Sequence, residues 1–258
     1  MWERVQSFCL FACYSRSGHS LVGTILDAHP NAAVAHEGKI FDWNEQKGLT
    51  GDLRFDGRGR LFKYLASRSA RHAEEGHRGR RRGEPFPLVA GASNGHFDEL
   101  RVIGVKRGQE PPIVWDHNPR VFDQLAEVAG VPVRLVHVYR NPWDNIASMA
   151  RTRPMERVTG KYFRRAQTMC AIKERVPLPM HDLALEDLIA HPRHELRRLL
   201  NFFELPADDD FIEKAVAAVD DSPTPSRREH EWTPEELETV ARRKREIPWL
   251  ARYPDTPD

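Results

Sequence analysis

Two short segments of the chain combine a cation with hydroxyl side chains in an order that suits anion binding. The first, Arg16-Ser17-Gly18-His19-Ser20, lies between an apolar run and a stretch whose apolar residues recur at helical spacing. This order predicts a buried strand, a tight loop and a helix. Such a loop directs backbone N–H groups and the positive end of the helix dipole at one point. Arg16 adds a planar guanidinium suited to phosphate or sulfate.

The loop differs from the Walker A phosphate loop. That motif ends in a lysine beside a hydroxyl residue, whereas here the cation Arg16 precedes Gly18 and no lysine follows. The segment is therefore shaped for an anion but lacks the usual lysine and Mg²⁺-binding pair for a γ-phosphate. By itself it is also compatible with a strand–turn–helix unit that binds no ligand.

The second segment follows another predicted buried strand, over residues 133–139. Arg140 lies at the carboxyl end of that strand, and Pro142 suits the first turn of a helix. Ser148 comes eight residues after Arg140, about two turns along the helix. A cation and a hydroxyl are thus predicted next to the end of a second buried strand.

Together the two segments resemble the sulfotransferases that use 3′-phosphoadenosine 5′-phosphosulfate (PAPS). The likeness is greatest to the bacterial, carbohydrate and tyrosyl-protein branches, which share Arg-Ser-Gly, Leu-Asp-Ala-His-Pro and a downstream Glu. The resemblance implies that Arg16, Ser17, Gly18, His19 and Ser20 hold the 5′-phosphosulfate. It implies likewise that Arg140 and Ser148 hold the 3′-phosphate. His19 departs from the family, which usually has threonine there.

Glu37 is the predicted general base. It follows a probable short strand at residues 32–35, whose end should lie at the same edge of the sheet as the phosphate loop. An alcohol is a poor nucleophile until its proton has an acceptor, and the resemblance gives a Glu at this place that role. A solvated glutamate at a strand end is the alternative, and His36 is the nearest rival base.

The resemblance also assigns roles to three further cations. Lys106 lies in the basic end of a predicted strand at residues 101–108. The resemblance implies that Lys106 stabilises charge as the sulfuryl group leaves, which makes it catalytic with Glu37 and Arg16. Arg227 and Arg228 lie in a late loop, and in the family a basic loop covers the 3′-phosphate. An exposed pair with no ligand is an equal alternative. The arginine-rich residues 78–82 predict a solvated loop or a lid that steers anions.

The elements that must position these residues predict an α/β fold. We expect a three-layer, P-loop-like domain with a central parallel sheet of four or five strands flanked by helices. The whole chain, residues 1–258, is predicted to form one sulfotransferase-like domain with an irregular insertion at about residues 41–95. No internal repeat is visible.

Composition excludes several classes of function. The net charge of +1 argues against general nucleic-acid binding, and no apolar run approaches the roughly 20 residues of a membrane helix. Since the first predicted strand begins close to the N-terminus, we expect no signal peptide. Three cysteines predict buried free thiols, which fits the reducing cytoplasm.

The sequence therefore predicts transfer of a sulfuryl group from PAPS to a hydroxyl, or less readily an amine, of a small molecule or glycan. The product would be adenosine 3′,5′-bisphosphate (PAP), and no metal is expected. The acceptor and the oligomeric state are left open. Two alternatives stand beside this prediction: a nucleotide or nucleoside kinase with a related loop, and a degenerate protein that binds nucleotide without chemistry.

Overall fold

The computed structural model describes residues 2–44, 49–75, 88–219 and 225–257 of the chain. The strands are β1 (Ser7–Phe11), β2 (Ala32–His36), β3 (Phe41–Asn44), β4 (Leu49–Leu53), β5 (Val102–Lys106), β6 (Val133–Tyr139) and β7 (Met180–Ala184). Five of them form a parallel sheet in the spatial order β2, β5, β1, β6, β7. The other two, β3 and β4, form an antiparallel hairpin. The predicted central parallel sheet is confirmed.

The helices connect these strands and cover both faces of the sheet. They are α1 (His19–Asp27), α2 (Arg58–Glu75), α3 (Glu110–His117), α4 (Val121–Ala129), α5 (Pro142–Ala150), α6 (Met155–Arg175), α7 (Leu185–Ala190), α8 (Pro192–Phe202), α9 (Asp209–Ala217) and α10 (Pro234–Arg245). A 3₁₀ turn, Ser226–Glu229, precedes α10.

Successive side chains of β1 point to opposite faces of the sheet, and this explains the three layers. Phe8 and Leu10 enter an apolar cluster with α2 to α6 and α10, whereas Cys9 and Phe11 enter a second cluster with α1, α7, α8 and α9. Every residue of β1 is buried, as expected for a strand covered on both faces. The predicted three-layer arrangement is therefore confirmed.

Local features of the sequence set several of the element boundaries. Residues 186–203 form two helices, α7 and α8, because Pro192 lacks an N–H and starts a new helix after His191. The first strand ends at Phe11, although Ala12 still donates to the Val136 carbonyl at 2.9 Å. The helix α1 ends before Ala28, and Thr233 caps α10 in a full capping box.

The predicted irregular insertion contains regular structure. The hairpin β3–β4 and the long helix α2 lie within it. The hairpin packs closely against α3, since a Cβ on Gly51 of β4 would lie 2.9 Å from Val114 Cγ1. The arginine-rich residues 78–82 lie outside the described residues, so their predicted role stays a prediction. Within the described ranges, no helix is both long and apolar enough to span a bilayer. Cys9 and Cys13 are buried free thiols, and Cys170 is a half-buried one.

Candidate active site

Most of the predicted site residues lie at one edge of the parallel sheet. The phosphate loop follows β1, Glu37 follows β2, Lys106 ends β5 and Arg140 follows β6. Because these four strands are neighbours and parallel, their carboxyl ends meet at that edge. Residues separated by more than a hundred positions in the sequence are thereby brought together.

The phosphate loop has the backbone conformation of an anion site. Gly18 is the N-cap of α1 with φ of 91°, in the left-handed region. A Cβ there would also lie 2.8 Å from Leu185 Cδ1, so only glycine fits. Arg16 has φ of 68°, a conformation that costs a residue with a side chain about 1–3 kcal/mol. The surrounding structure must therefore hold this loop in place.

Contacts from two neighbouring segments hold it. Asn145 Nδ2 of α5 donates to the Ser15 carbonyl oxygen at 2.8 Å, and Ser15 Oγ donates to Gln109 Oε1 at 2.7 Å. The Cys13 N–H donates to the Gly108 carbonyl oxygen at 2.6 Å. The loop is thus braced by the segments after β5 and β6. Asn145 and Gln109 were not predicted, since nothing in their local sequence marks a contact so distant along the chain.

The two serines of the loop differ in what they can offer a ligand. Ser17 is buried, and its hydroxyl donates to the Tyr14 carbonyl oxygen at 3.1 Å, so its backbone N–H is the group left for an anion. Ser20 Oγ lies 3.1 Å from Lys106 Nζ and is half-buried. The hydroxyl of Ser20 therefore lies beside a cation at the start of α1.

Lys106 joins the phosphate loop to Glu37. Its Nζ donates to Glu37 Oε1 at 2.8 Å as well as to Ser20 Oγ. The lysine side chain is 1% exposed and that of Glu37 is 38% exposed. A Cβ on Gly23 of α1 would lie 2.7 Å from Lys106 Cγ, so that glycine makes room for the lysine stem. A carboxylate, an ammonium and a hydroxyl meet here.

The surroundings of Glu37 keep it ionised. Burial alone would raise the pKa of Glu37, but the charge and hydrogen bond of Lys106 lower it below its usual value of 4.5. Glu37 has φ of 51°, and its N–H donates to the Lys106 carbonyl oxygen at 2.8 Å. The rival His36 is 1% exposed, and its ring stacks on His72 at 4.2 Å between ring centroids. The His36 ring is thus buried and the Glu37 carboxylate is accessible.

Arg16 and Ser148, which the sequence assigned to opposite ends of the ligand, are in contact. Arg16 Nε donates to Ser148 Oγ at 3.0 Å, and Ser148 is 2% exposed while Arg16 is exposed. The pair links the phosphate loop to α5. The two predicted anion sites are therefore adjacent parts of one cleft.

Arg140 is a largely buried cation with unused donors. Its Nε and Nη2 are buried and make no hydrogen bond to any described residue. Burial lowers the pKa of Arg140, and the negative charges of Asp144 and Glu186 oppose that shift. Buried hydrogen-bond donors without partners are costly, and an anion would satisfy them. This arrangement suits the anion predicted for Arg140.

The two late arginines are placed differently. The Arg227 N–H and Nη1 both donate to the Asp144 carboxylate of α5, at 2.9 and 2.5 Å. Arg228 is exposed. Asp144, which no local pattern in the sequence marks, therefore ties the 3₁₀ turn to the helix that carries Ser148. The structure brings Arg227, but not the side chain of Arg228, against α5.

Glu110 is a second carboxyl near Glu37 that the sequence did not reveal. It is the first residue of α3, is 6% exposed, and lies 3.2 Å from Arg107 Nε. Its Oε2 makes no hydrogen bond within the described residues. Burial raises the pKa of Glu110 to about 7, with the charge of Arg107 opposing and that of Glu37 adding to the shift. Only the fold shows that this glutamate is buried.

One group in the described part of the chain has the spacing of metal ligands. Asp27, His36 and His72 are buried, and one ligand atom from each lies within 4.8 Å of the others. The two rings stack with only 15° between their planes. A metal binds in the plane of an imidazole, so coordination by both rings would require one of them to turn. The expectation that no metal takes part stays a prediction.

Comparison with known proteins identifies the family. A sequence model described as the sulfotransferase family matches residues 12–209, more than half of the chain. A search of curated proteins by sequence gave no match. The sulfotransferase domain of the Synechococcus PCC 7002 olefin synthase superposes with a TM-score of 0.55 and 15% identity, covering 96% of this chain and 94% of that one.

Two further solved structures have the same fold. The sulfotransferase domain from the curacin biosynthetic pathway gives a TM-score of 0.50 at 14% identity, with 92% of this chain and 96% of that one covered. A sulfotransferase from Mycobacterium avium gives 0.50 at 9% identity, with 94% and 76% covered. At these identities the structures show the fold, and the match over residues 12–209 shows the family. The resemblance inferred from the two motifs is confirmed, and the chain belongs to the sulfotransferase family of enzymes.

Proposed function

We propose that the chain transfers a sulfuryl group from PAPS to a hydroxyl, or less readily an amine, of a small molecule or glycan. The observation that carries this proposal is the meeting of Glu37, Lys106 and Ser20 at the phosphate loop. It provides a proton acceptor, a cation and a helix N-terminus at one place. Sulfuryl transfer to an alcohol needs each of them.

The residues present fit the donor. The backbone N–H groups of the loop, Arg16 and the Ser20 hydroxyl would hold the 5′-phosphosulfate. Arg140, with its unused Nε and Nη2, and Ser148 would hold the 3′-phosphate. When bound, PAPS supplies an activated sulfuryl group and leaves as PAP. Arg227 is the better candidate of the two late arginines, because it is bonded to Asp144 of α5, one helical turn before Ser148.

Glu37 would accept the proton of the acceptor hydroxyl. Its carboxylate is ionised at neutral pH and is partly exposed, so it can meet an acceptor in the cleft. An anion that accepts a hydrogen bond from Lys106 competes with Glu37 for the lysine ammonium. A weaker pairing with Lys106 makes Glu37 more basic. Binding of the donor would therefore strengthen the base that the reaction needs.

Lys106 and Arg16 would stabilise the charge that develops on the leaving oxygen. Their cations are fixed before the reaction, Lys106 by burial and Arg16 by its bond to Ser148. In-line displacement between held groups requires no covalent enzyme intermediate, and positioning supplies much of the rate. The proposed step uses no metal, since these two side chains provide the positive charge. We expect the reaction in the cytoplasm, where free thiols such as Cys9 persist.

The direct test combines the purified protein with PAPS and a panel of hydroxylated metabolites and glycans. Mass spectrometry should show PAP formed together with a product heavier by one sulfuryl group. ATP with Mg²⁺ in place of PAPS should give no phosphorylated product, and phosphorylation would favour a kinase. If the protein binds PAP tightly but forms no sulfated product with any acceptor, it is better explained as a degenerate protein that binds nucleotide without chemistry.

A further inference from the structure

His19 places an imidazole inside the phosphate loop. It is the first residue of α1, directly after the left-handed Gly18, in a loop otherwise made of small residues and Arg16. Its side chain is half-buried. The donor has only oxygen acceptors to offer at its phosphosulfate, so the protonation of this ring matters for binding.

The hydrogen bond of Ser17 to Tyr14 favours one tautomer of the His19 ring. Ser17 has one hydroxyl hydrogen, and it donates this hydrogen to the Tyr14 carbonyl oxygen at 3.1 Å. His19 Nδ1 lies 3.2 Å from the same Ser17 oxygen. With the Ser17 hydrogen donated to Tyr14, Nδ1 is the donor in that contact. The neutral ring therefore has its hydrogen on Nδ1 and a lone pair on Nε2.

Gly108 keeps the ring in this place. A Cβ on Gly108 would lie 2.9 Å from Cγ, Cδ2 and Nε2 of His19, so only glycine leaves room for the imidazole. The Gly108 carbonyl oxygen in turn accepts from the Cys13 N–H at 2.6 Å. The ring is thus packed between the loop and the segment after β5, and turning it would break its bond to Ser17.

Three charged groups face His19 from the surrounding elements. They are Lys106 at the end of β5, Glu37 after β2, and Arg16 in the loop. Loss of hydration and then the positive charge of Lys106 lower the pKa of His19 to about 3, while Glu37 and the Tyr14 carbonyl oppose the shift. The ring is therefore neutral at pH 7, and a neutral imidazole offers no positive charge to an anion in the loop.

We propose that His19 takes up a proton from solvent at Nε2 when the anionic donor binds, so that an imidazolium helps to hold the phosphosulfate. This inference rests on the proposed function, because it concerns the same donor. No covalent bond forms or breaks, and the added proton balances part of the charge that the ligand brings. Nδ1 keeps its bond to Ser17 in both states. The loop would then bind its anion with one proton more than it holds by itself.

The sign of the pH dependence follows from linkage. Binding raises the pKa of His19 above its value in the free protein. At pH values between the pKa in the free protein and the pKa in the complex, the complex therefore holds more protons than the separate partners. The contribution of this proton to PAP affinity is then largest at low pH and falls by up to about tenfold per pH unit across that window. Above the His19 pKa in the complex, the affinity no longer depends on this proton.

The test is calorimetric titration of PAP into the full-length protein between pH 5.5 and 8, in buffers of different ionisation enthalpy. The wild type should take up close to one proton more than His19→Thr at the acidic end of this range. PAP titrates at its own phosphates near pH 6, and the Thr variant measures that background. His19→Gln, which keeps an amide donor but cannot titrate, should match the Thr variant in proton count.

Two controls keep the outcomes distinct. His117→Thr makes the same substitution at an exposed histidine of α3, and Glu110→Gln removes another group that titrates near neutrality. Both should keep the extra proton of the wild type. If PAP binds and His19→Thr takes up as many protons as the wild type, the inference is wrong while the proposed function stands. If PAP does not bind the wild type at all, the proposed function itself is wrong.

Discussion

The cleft has two halves, the phosphate loop and the end of β6, and they differ in how their cations are hydrogen-bonded. At the phosphate loop, Lys106 is hydrogen-bonded to Glu37 and Ser20, and Arg16 to Ser148. Beside β6, Arg140 is largely buried, and its Nε and Nη2 have no hydrogen-bond partner in the described ranges. At the phosphate loop a ligand must replace hydrogen bonds that the cations already make. Beside β6 it would supply hydrogen-bond acceptors that Arg140 lacks within the described ranges. We therefore expect the first half to control rate and the second to control nucleotide affinity.

Glu37→Gln should give the largest effect and tests the first half. The amide keeps the size of the side chain but cannot accept a proton, so kcat should fall by about 10²–10⁴-fold. PAP affinity should stay the same or improve slightly, because a negative charge near the ligand is removed. Steady-state kinetics and calorimetry measure the two quantities separately.

Glu110→Gln is the matched control for Glu37→Gln, since both carboxyls are coupled electrostatically. It should retain most of kcat. A large loss in the Glu110 variant with normal turnover in the Glu37 variant would move the base to Glu110. Loss of PAP binding in Glu37→Gln would mean that Glu37 supports the structure of the cleft rather than the chemistry.

Arg140→Ala tests the second half. A charge-assisted hydrogen bond is worth roughly 1.5–3 kcal/mol, so the variant should bind PAP about ten- to a hundredfold more weakly. The wild type should prefer PAP to AMP by at least that factor, and the variant should lose most of the preference. Calorimetry with both nucleotides measures this. Equal wild-type affinities for PAP and AMP would contradict the assignment of the 3′-phosphate to Arg140.

Asp27→Asn tests whether the buried carboxyl at the end of α1 affects stability without affecting turnover. Burial raises the pKa of Asp27 to about 7, although Ser69 Oγ and the Val34 N–H donate to it at 2.5 and 2.7 Å and oppose the shift. An acid whose pKa is raised on folding makes the protein lose stability as pH rises between its unfolded and folded pKa values. That window runs from about pH 4 to 7 for Asp27.

The Asn variant keeps an acceptor oxygen for both donors. It should lack this loss and be more stable than the wild type at pH 8 by roughly 1–3 kcal/mol. Urea unfolding at pH 5 and pH 8 checks the difference, and kcat/KM should change little. Identical pH dependence in the two proteins would show that Asp27 does not titrate in this range.

The smallest expected effect compares the two late arginines. Arg227 is bonded to Asp144 of α5, whereas Arg228 is exposed. Arg227→Ala should weaken PAP binding by about three- to tenfold, because the 3₁₀ turn loses its tie to the helix that carries Ser148. Arg228→Ala should change it less than twofold, as is usual for exposed charges. The reverse order would transfer the predicted role to Arg228.

Much of the fold could be read from the sequence because its signals are local. The apolar runs at β1 and β6 predicted buried strands, and Pro142 marked the start of α5. The order of Arg16, Gly18 and the helix at His19 predicted the anion loop. These features depend on backbone preferences of neighbouring residues, which a short stretch of sequence contains.

The pairing of side chains across the cleft was decided only by the tertiary structure. Arg16 meets Ser148 from 132 residues away, and Lys106 meets Glu37 from 69 residues away. Both contacts follow from the spatial order of the strands, β2, β5, β1, β6, which places the end of β5 between those of β2 and β1. Likewise, the burial of Glu110 and the bond of Arg227 to Asp144 result from how helices pack onto the sheet. Local propensities fix each element, but the charge balance at the site depends on which elements become neighbours.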